Sequence, residues 1–287
     1  MHLDLDAVSA LVGGKIGMFD VACPLCGPTR QRAINRHRKV LRVWRDDAGF
    51  ATYHCARCGE HGHVRDESAP RQIDRAAMER AKAETEERER ASAADRLKKA
   101  AWLWARSKPA EETPVENYLR NRGYEGPISD TLRYLPPRGD HAPAMIAPFG
   151  MASEIKPGAI TMRSGLLRGI HLTRLLPDGS GKIAEHAKIM VGASKGWPIV
   201  VAPPNDLLAL AITEGIEDAL SAHAATGIGA WAAGSGSRMP ELAEAVPSYI
   251  ETVTIFAHAD PAGRKGSTDL AELLIERGVE TYVEGLQ

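Results

Sequence analysis

No stretch of this 287-residue chain reaches about 18 consecutive apolar residues, so nothing in it reads as a membrane span. The opening residues MHLDLDAVSALVGGK lack the basic start and apolar run of a secretory signal. Both absences lead us to expect a cytoplasmic protein with no membrane partner. An excess of one charge is missing too: 36 Lys and Arg stand against 37 Asp and Glu. Any contact with nucleic acid must therefore come from local patches rather than from the whole surface. No GxxxxGK[ST] phosphate loop occurs, since GSGSRMP and AGRKGS are glycine-rich without that pattern, and this sets a P-loop helicase activity aside. Internal repeats are absent. Cysteine is scarce, with four in all, and every one falls in a CxxC pair near the N-terminus. In a reducing compartment such pairs favour metal binding over disulfides.

What is present divides the chain into four stretches. Residues 1–66 hold the cysteines and, between them, strand-forming residues such as Val43, Trp44 and Tyr53. This module is too small to fold on apolar burial alone. The stretch 67–108 is a helical linker: from Arg71 to Arg106 it has no Gly or Pro and is dense in Ala, Glu, Arg and Lys, predicting one long helix or two with a break near Ser92. Its first part is a solvated spacer, and Leu97, Trp102, Leu103 and Trp104 are expected to dock its end. Residues 109–205 mix a short helical piece, VENYLRNRG, with strand-like AMIAPFG, GAITMR and GIHLTRLL, and read as an α+β subdomain. Residues 206–287 alternate strand and helix (LLALAIT, EGIEDALSAHAATG, GAWAA, MPELAEAV, ETVTIFA, TDLAELLIERG, VETYVE), predicting a parallel sheet covered by helices.

In the first stretch, Cys23 and Cys26 form CPLCG, and Cys55 and Cys58 form CARCG. Each CxxC turn offers two thiolates to one ion, and the glycines that follow, Gly27 and Gly59, permit the tight backbone. Four thiolates complete a tetrahedral zinc and leave no position open for substrate, so this zinc is structural. His54, His61 and His63 are then surface or supporting residues. Between the pairs lie Arg30, Arg32, Arg36, Arg38, Lys39, Arg42 and Arg45, with His37 and Trp44 interleaved, against Asp46 and Asp47. Such a stripe suits a phosphate backbone, and an aromatic among the charges suits an unpaired base.

In the last stretch, the apolar strand of AITEGIEDAL ends at Glu214, Gly215 makes the turn and a helix begins. That puts a carboxylate at the carboxyl end of a parallel strand, where open α/β sheets bind ligands. The strand VTIFA ends the same way in HADPAG, so Asp260 should lie beside Glu214. Two such acids suit a hard divalent cation, Mg²⁺ or Mn²⁺, and a substrate phosphate. Glu217 and Asp218, early in the following helix, are candidates to complete the ligand shell or, alternatively, an acidic pair favoured by the helix dipole.

These segments resemble the Toprim superfamily and, within it, the primase-like Toprim proteins of phages and plasmids. TEGIEDAL looks like the group's strand-turn-helix acidic motif, and HADPAGRKGS like its second motif, a DxD followed by Pro, Ala and Gly. TPVENYLRNRG, LRYLP, PAMIAPF and GIHLTRLLPDGSGK look like the segments that precede Toprim in this group, and a zinc ribbon is its usual N-terminal companion. The resemblance covers nearly all of the chain from about residue 97 onward. The fold class it implies is α/β: an N-terminal four-cysteine zinc ribbon, a helical linker, an α+β subdomain that begins the primase core, and a C-terminal Toprim domain with a parallel sheet.

The activity implied is metal-dependent, template-directed synthesis of short RNA primers on single-stranded DNA for replication of a phage, plasmid or mobile element. Nucleoside triphosphates are the substrates and a replicative helicase is a candidate partner. By position Glu214 is the first acid and Asp260 the second acid of DxD, with Arg174, Lys182, Lys188 and Lys195 as candidates to hold nucleotide phosphate or template. Two departures stand out. His258 occupies the place of the first Asp of DxD, which weakens an Mg²⁺ site and favours Mn²⁺. The family's further acidic motif beyond the fourth strand is not matched here: either it has been shed or its charge is supplied elsewhere, for example by Glu284. The alternatives are a catalytically degenerate Toprim protein that binds nucleic acid or a replication partner, and a Toprim nuclease.

Overall fold

The computed structural model describes residues 3–29, 33–46, 49–66 and 75–285. Arg30, Arg32 and Asp47 of the basic stripe and Arg71 at the expected helix start lie outside them. The chain divides into two compact units, Met1–Ala81 and Lys82–Gln287.

The first unit opens with a helix that its sequence did not announce. Helix α1 (Leu5–Leu11) starts on Asp4, whose side chain accepts from the backbone N–H of Ala7 at 2.7 Å. Its Val8 packs with Leu3, Val12, Leu41, Val43, Ala51 and Tyr53 into a small core that includes Cys23, Cys26 and Cys55. Strands β1 (Gly17–Ala22), β2 (Lys39–Arg45), β3 (Phe50–Cys55) and β4 (His61–Arg65) form an antiparallel sheet in sequence order, with the single-turn α2 (Ala33–Arg36) before β2. Alternation along β2 sends Leu41 and Val43 into the core and Arg42 and Trp44 to the solvent.

Helix α3 (Arg75–Ala105) runs without a break at Ser92. The division between the units falls inside it. Its end docks through Ala100, Leu103 and Trp104 onto Ile146, Met162, Leu167 and Ile170. Trp102, expected among the docking residues, points outward instead, with the guanidinium groups of Arg106 and Arg138 at 4.3 and 5.2 Å from its ring. Successive helix positions are 100° apart, and neighbours of a docked pair cannot all face one wall.

The second unit contains two five-stranded sheets. The antiparallel one has the order β11-β10-β7-β6-β5, built from β5 (Lys108–Pro109), β6 (Arg133–Leu135), β7 (Ala144–Phe149), β10 (Gly169–Arg174) and β11 (Lys188–Gly192). Helix α4 (Pro114–Asn121) follows β5, and a hairpin of β8 (Ser153–Lys156) and β9 (Ala159–Thr161) follows β7. The other sheet, ordered β12-β14-β13-β15-β16, comprises β12 (Ile199–Ala202), β13 (Ala209–Thr213), β14 (Gly229–Ala232), β15 (Thr252–Phe256) and β16 (Glu280–Glu284).

That second sheet departs from an all-parallel one. β13 through β16 are parallel, but its edge strand β12 is antiparallel to β14 and comes from residues read as part of the preceding subdomain. The apolar run IVVA is buried on both faces, and a single edge position is enough to satisfy it. Helices α5 (Ile216–Thr226) and α6 (Pro261–Glu276) cover the sheet, whereas MPELAEAV forms a 3-10 stretch, Pro240–Ala245, too short for a packed α-helix. One apolar cluster joins α4, β7, β12 and α5 through Tyr118, Leu119, Phe149, Ile199 and Leu220. No helix among the described residues is long and apolar enough to cross a membrane.

Candidate functional site

Strand β13 lies between β14 and β15, and the chain leaves it toward one neighbour and returns on the other. Such a reversal opens a crevice at the carboxyl ends of the strands. Thr213 and Phe256, the last residues of β13 and β15, sit opposite each other in register, so the segments after them converge. Glu214 follows the first strand directly; His258 and Asp260 follow the second.

One ligand atom from each of Glu214, His258 and Asp260 lies within 4.8 Å of the other two. Asp260 is the N-cap of α6: its Oδ1 accepts from the backbone N–H groups of Ala262 (3.0 Å) and Gly263 (2.8 Å), which fixes the carboxylate at the crevice. The Glu214 side chain is 19% exposed, and its Oε2 is buried with no hydrogen-bond partner. That oxygen lies under Gly236, where an added Cβ would stand 3.1 Å from it. A buried carboxylate oxygen without a donor is costly, and a cation at this point would satisfy it. The donor set therefore fits a divalent ion.

His258 faces the acids. Its Nδ1 is 3.6 Å from Glu214 Oε2 and its Nε2 is 2.9 Å from Asp218 Oδ2. Asp218 thus reaches the centre through the imidazole rather than as part of the three-residue cluster.

Glu217, the other candidate on α5, turns away. It is 13% exposed, pairs with Lys182 Nζ at 2.8 Å and accepts a short hydrogen bond from the Tyr118 hydroxyl. Burial alone would raise this carboxyl, but the bonds from Lys182 and Tyr118 prevail and hold it at about 2. Burial, with Glu217 alongside, pushes the Tyr118 phenol up. Glu217 and Asp218 are adjacent on a helix, so their side chains diverge by about 100° and cannot both serve one ion. Glu284 closes β16 and is not in the cluster.

The four basic candidates upstream are not gathered. Lys182 is held by Glu217, and Lys195 pairs with Glu241 at 2.6 Å. Thr173 pairs with Lys188 and His171 with Met190, so Lys188 and His171 share one face of the antiparallel sheet. Arg174, at the end of β10, lines a groove of about 1010 Å³ on the other face together with Lys99, Trp102, Arg106 and Arg138. No local pattern in the sequence points to Tyr118, whose hydroxyl bonds Glu217, or to Gly236, which packs over Glu214 in a glycine-rich segment without the phosphate-loop pattern.

In the first unit the sulfurs of Cys23 and Cys58 are 3.9 Å apart and those of Cys26 and Cys55 3.8 Å. Four sulfurs at about 2.3 Å from a tetrahedral zinc would be about 3.8 Å apart, so the set fits zinc and is far too open for disulfides. Burial, helped by the neighbouring thiols, pushes Cys26 up to about 12. Burial also opposes ionisation of Cys55, but the backbone N–H groups of Cys58 and Arg57 outweigh it and draw the thiol down to about 7. Gly27 is demanded by crowding, since a Cβ there would meet the carbonyl oxygens of Cys23 and Arg36 at 2.5 and 2.8 Å, and Gly59 by its φ of +74°. His54, His61 and His63 are exposed and stand outside the cysteine cluster.

Arg36, Arg38, Lys39, Arg42 and Trp44 are all exposed. Arg42 is gripped in a bidentate pair by Asp20, both bonds 2.8 Å, while Trp44 lies two residues along on the same face. The register sets His54 beside Arg42, and His63 beside Thr52 next to Trp44.

Residues 94–200 match a family described as a domain of unknown function, DUF7146, and residues 209–284 match the Toprim domain. No curated protein matches the chain. Among solved structures, the chain is similar to the Aquifex aeolicus primase (zinc binding and RNA polymerase domains) at 15% identity and a TM-score of 0.43, over 99% of this chain and 79% of that one. It is also similar to the primase fragment of the bacteriophage T7 primase-helicase at 10% identity and a TM-score of 0.37, over 93% of this chain and 90% of that one. The strand-end carboxylates thus belong to a recognised domain: residues 209–284 of this chain are a Toprim domain, preceded in the sequence by a four-cysteine cluster of zinc-ribbon type.

Proposed function

We propose that this protein is a primase that joins nucleotides into short primers on single-stranded DNA. The observation that carries the reading is the convergence of Glu214 and Asp260 at adjacent strand ends, with a buried Glu214 oxygen that lacks a donor, inside a Toprim domain. The upstream segments and the cysteine module, which resemble those of primase-like Toprim proteins, support it.

In this reading Glu214, His258 and Asp260 hold the divalent ion, which neutralises triphosphate charge and assists attack by a 3′ hydroxyl. Asp260 is aimed by the first turn of α6, and the brace of Glu217 with Lys182 and Tyr118 fixes the start of α5 beside the crevice. Lys188 remains a candidate for phosphate. The cysteine module binds a structural zinc and presents Trp44 with the exposed Arg38 and Lys39 to template. Replication of a phage, plasmid or mobile element is the setting this fits, with a helicase as candidate partner.

The test is primer synthesis by the zinc-loaded full chain on single-stranded DNA with labelled nucleotides and either Mg²⁺ or Mn²⁺. Oligonucleotide products are expected, and Glu214→Gln should lower their yield at least about 100-fold. Absence of product from folded protein under both metals refutes the reading; nicking of a circular plasmid would point to a nuclease instead.

A further inference from the structure

The imidazole at the acidic centre has an unusual place: it touches two carboxylates with its two nitrogens. Asp218 Oδ2 stands 2.9 Å from Nε2, and Glu214 Oε2 stands 3.6 Å from Nδ1. A carboxylate only accepts, so the short contact to Asp218 requires the proton on Nε2. In the neutral ring that choice leaves the Nδ1 lone pair facing the orphaned Glu214 oxygen, within the cluster that Asp260 completes. A carboxylate that fixes the tautomer and raises the basicity of the opposite nitrogen is the arrangement that supports a metal-ligating histidine. Gly215 leaves room for Asp218 to lie there, since a Cβ at that position would stand 2.6 Å from its Oδ2.

We infer that His258 is a metal ligand through Nδ1, that Asp218 is its positioning residue, and that together they make this centre select Mn²⁺ over Mg²⁺. Mg²⁺ demands oxygen donors and gives up its water reluctantly, whereas a set of one imidazole and two carboxylates suits a first-row transition ion. The inference rests on the metal-holding role proposed above for Glu214 and Asp260, and adds which ion they hold and why.

The competing arrangement is an imidazolium that bridges Glu214 and Asp218 and takes the place of the ion. The two differ in what binds. The test is Mn²⁺ binding to the zinc-loaded full chain, followed by electron paramagnetic resonance, with Mg²⁺ as competitor. Wild type is expected to hold Mn²⁺ with a nitrogen hyperfine coupling, and to release it only at a Mg²⁺ excess of about 100-fold or more. Glu214→Gln should abolish that binding and so locate it. His258→Asp should erase the nitrogen coupling and lower the required excess at least about tenfold. Asp218→Asn should weaken Mn²⁺ about 10- to 100-fold while moving Mg²⁺ less.

If His258→Asp does not fold, the nitrogen coupling of wild type and its response to Asp218→Asn decide the matter. No bound Mn²⁺, no nitrogen coupling, or a Mn²⁺ to Mg²⁺ ratio unchanged in both variants overturns the proposal. Primer synthesis supported equally by Mg²⁺ would sink the metal selection and leave the primase reading intact. Selective Mn²⁺ binding without primers would do the reverse.

Discussion

At the scale of single residues, the side chains of α5 show how much a tertiary partner changes a role. Glu217 and Asp218 are equivalent acids in the sequence, at the first turn of one helix. The fold gives Glu217 to Lys182 and Tyr118, and Asp218 to His258. Removing Lys182 leaves Glu217 as a largely buried carboxylate without its cation. Lys182→Met is therefore expected to cost about 1–3 kcal/mol, less than a fully buried pair because Lys182 is 30% exposed. Adding Glu217→Gln should recover part of that loss in a double-mutant cycle read from urea midpoints. A cost below about 0.5 kcal/mol for the single change would mean the pair does not brace the site. The positions of Glu214 and Asp260 were legible because the first follows an apolar run directly and the second comes within a few residues of the end of another. The pairing of Lys182 with Glu217 was not, since its partners are 35 residues apart and no local pattern links them.

At the scale of elements, period and punctuation carried most of the reading. The Gly- and Pro-free stretch became α3, and AMIAPF, GIHLTR and ALAIT became β7, β10 and β13. What escaped depended on neighbours: the antiparallel placing of β12, the outward turn of Trp102, and α1, whose seven residues give too short a window for periodicity. Strand β10 also buries an imidazole. Burial, with Lys188 adding to it, holds His171 at about 4, below the 6.5 of an unperturbed histidine. A folded value below the unfolded one means that protons favour the unfolded state, so this contribution is complete above pH 6.5 and is lost as pH falls through 4. Glu217 has the same sign lower down, its contribution complete above 4.5 and lost as pH falls toward 2. Urea midpoints of the full chain should thus decline as pH falls below 6.5. His171→Asn should remove much of the decline between 6.5 and 4. An unaltered pH profile in that variant would place the acid lability elsewhere.

At the scale of the whole molecule, two donor sets suited to different metal ions are separated along the sequence. Four soft sulfurs gather in the first unit, those of Cys23, Cys26 and Cys55 within its small apolar core and that of Cys58 at its edge. Hard oxygens and one imidazole gather where a parallel sheet opens in the second. The resemblance carried in TEGIEDAL and HADPAGRKGS made that second centre legible, and His258 was visible as its odd member. Its bond to Asp218 became visible only with the helix in place. Whether that centre is a metal site that serves a nucleotide is tested most directly by anomalous diffraction from crystals soaked in Mn²⁺ and a nucleoside triphosphate. A Mn²⁺ peak is expected about 2.2 Å from oxygens of Glu214 and Asp260 and from His258 Nδ1, with triphosphate oxygens completing its shell. Density that instead shows His258 clamped between Glu214 and Asp218, with no ion beside them, would contradict that role.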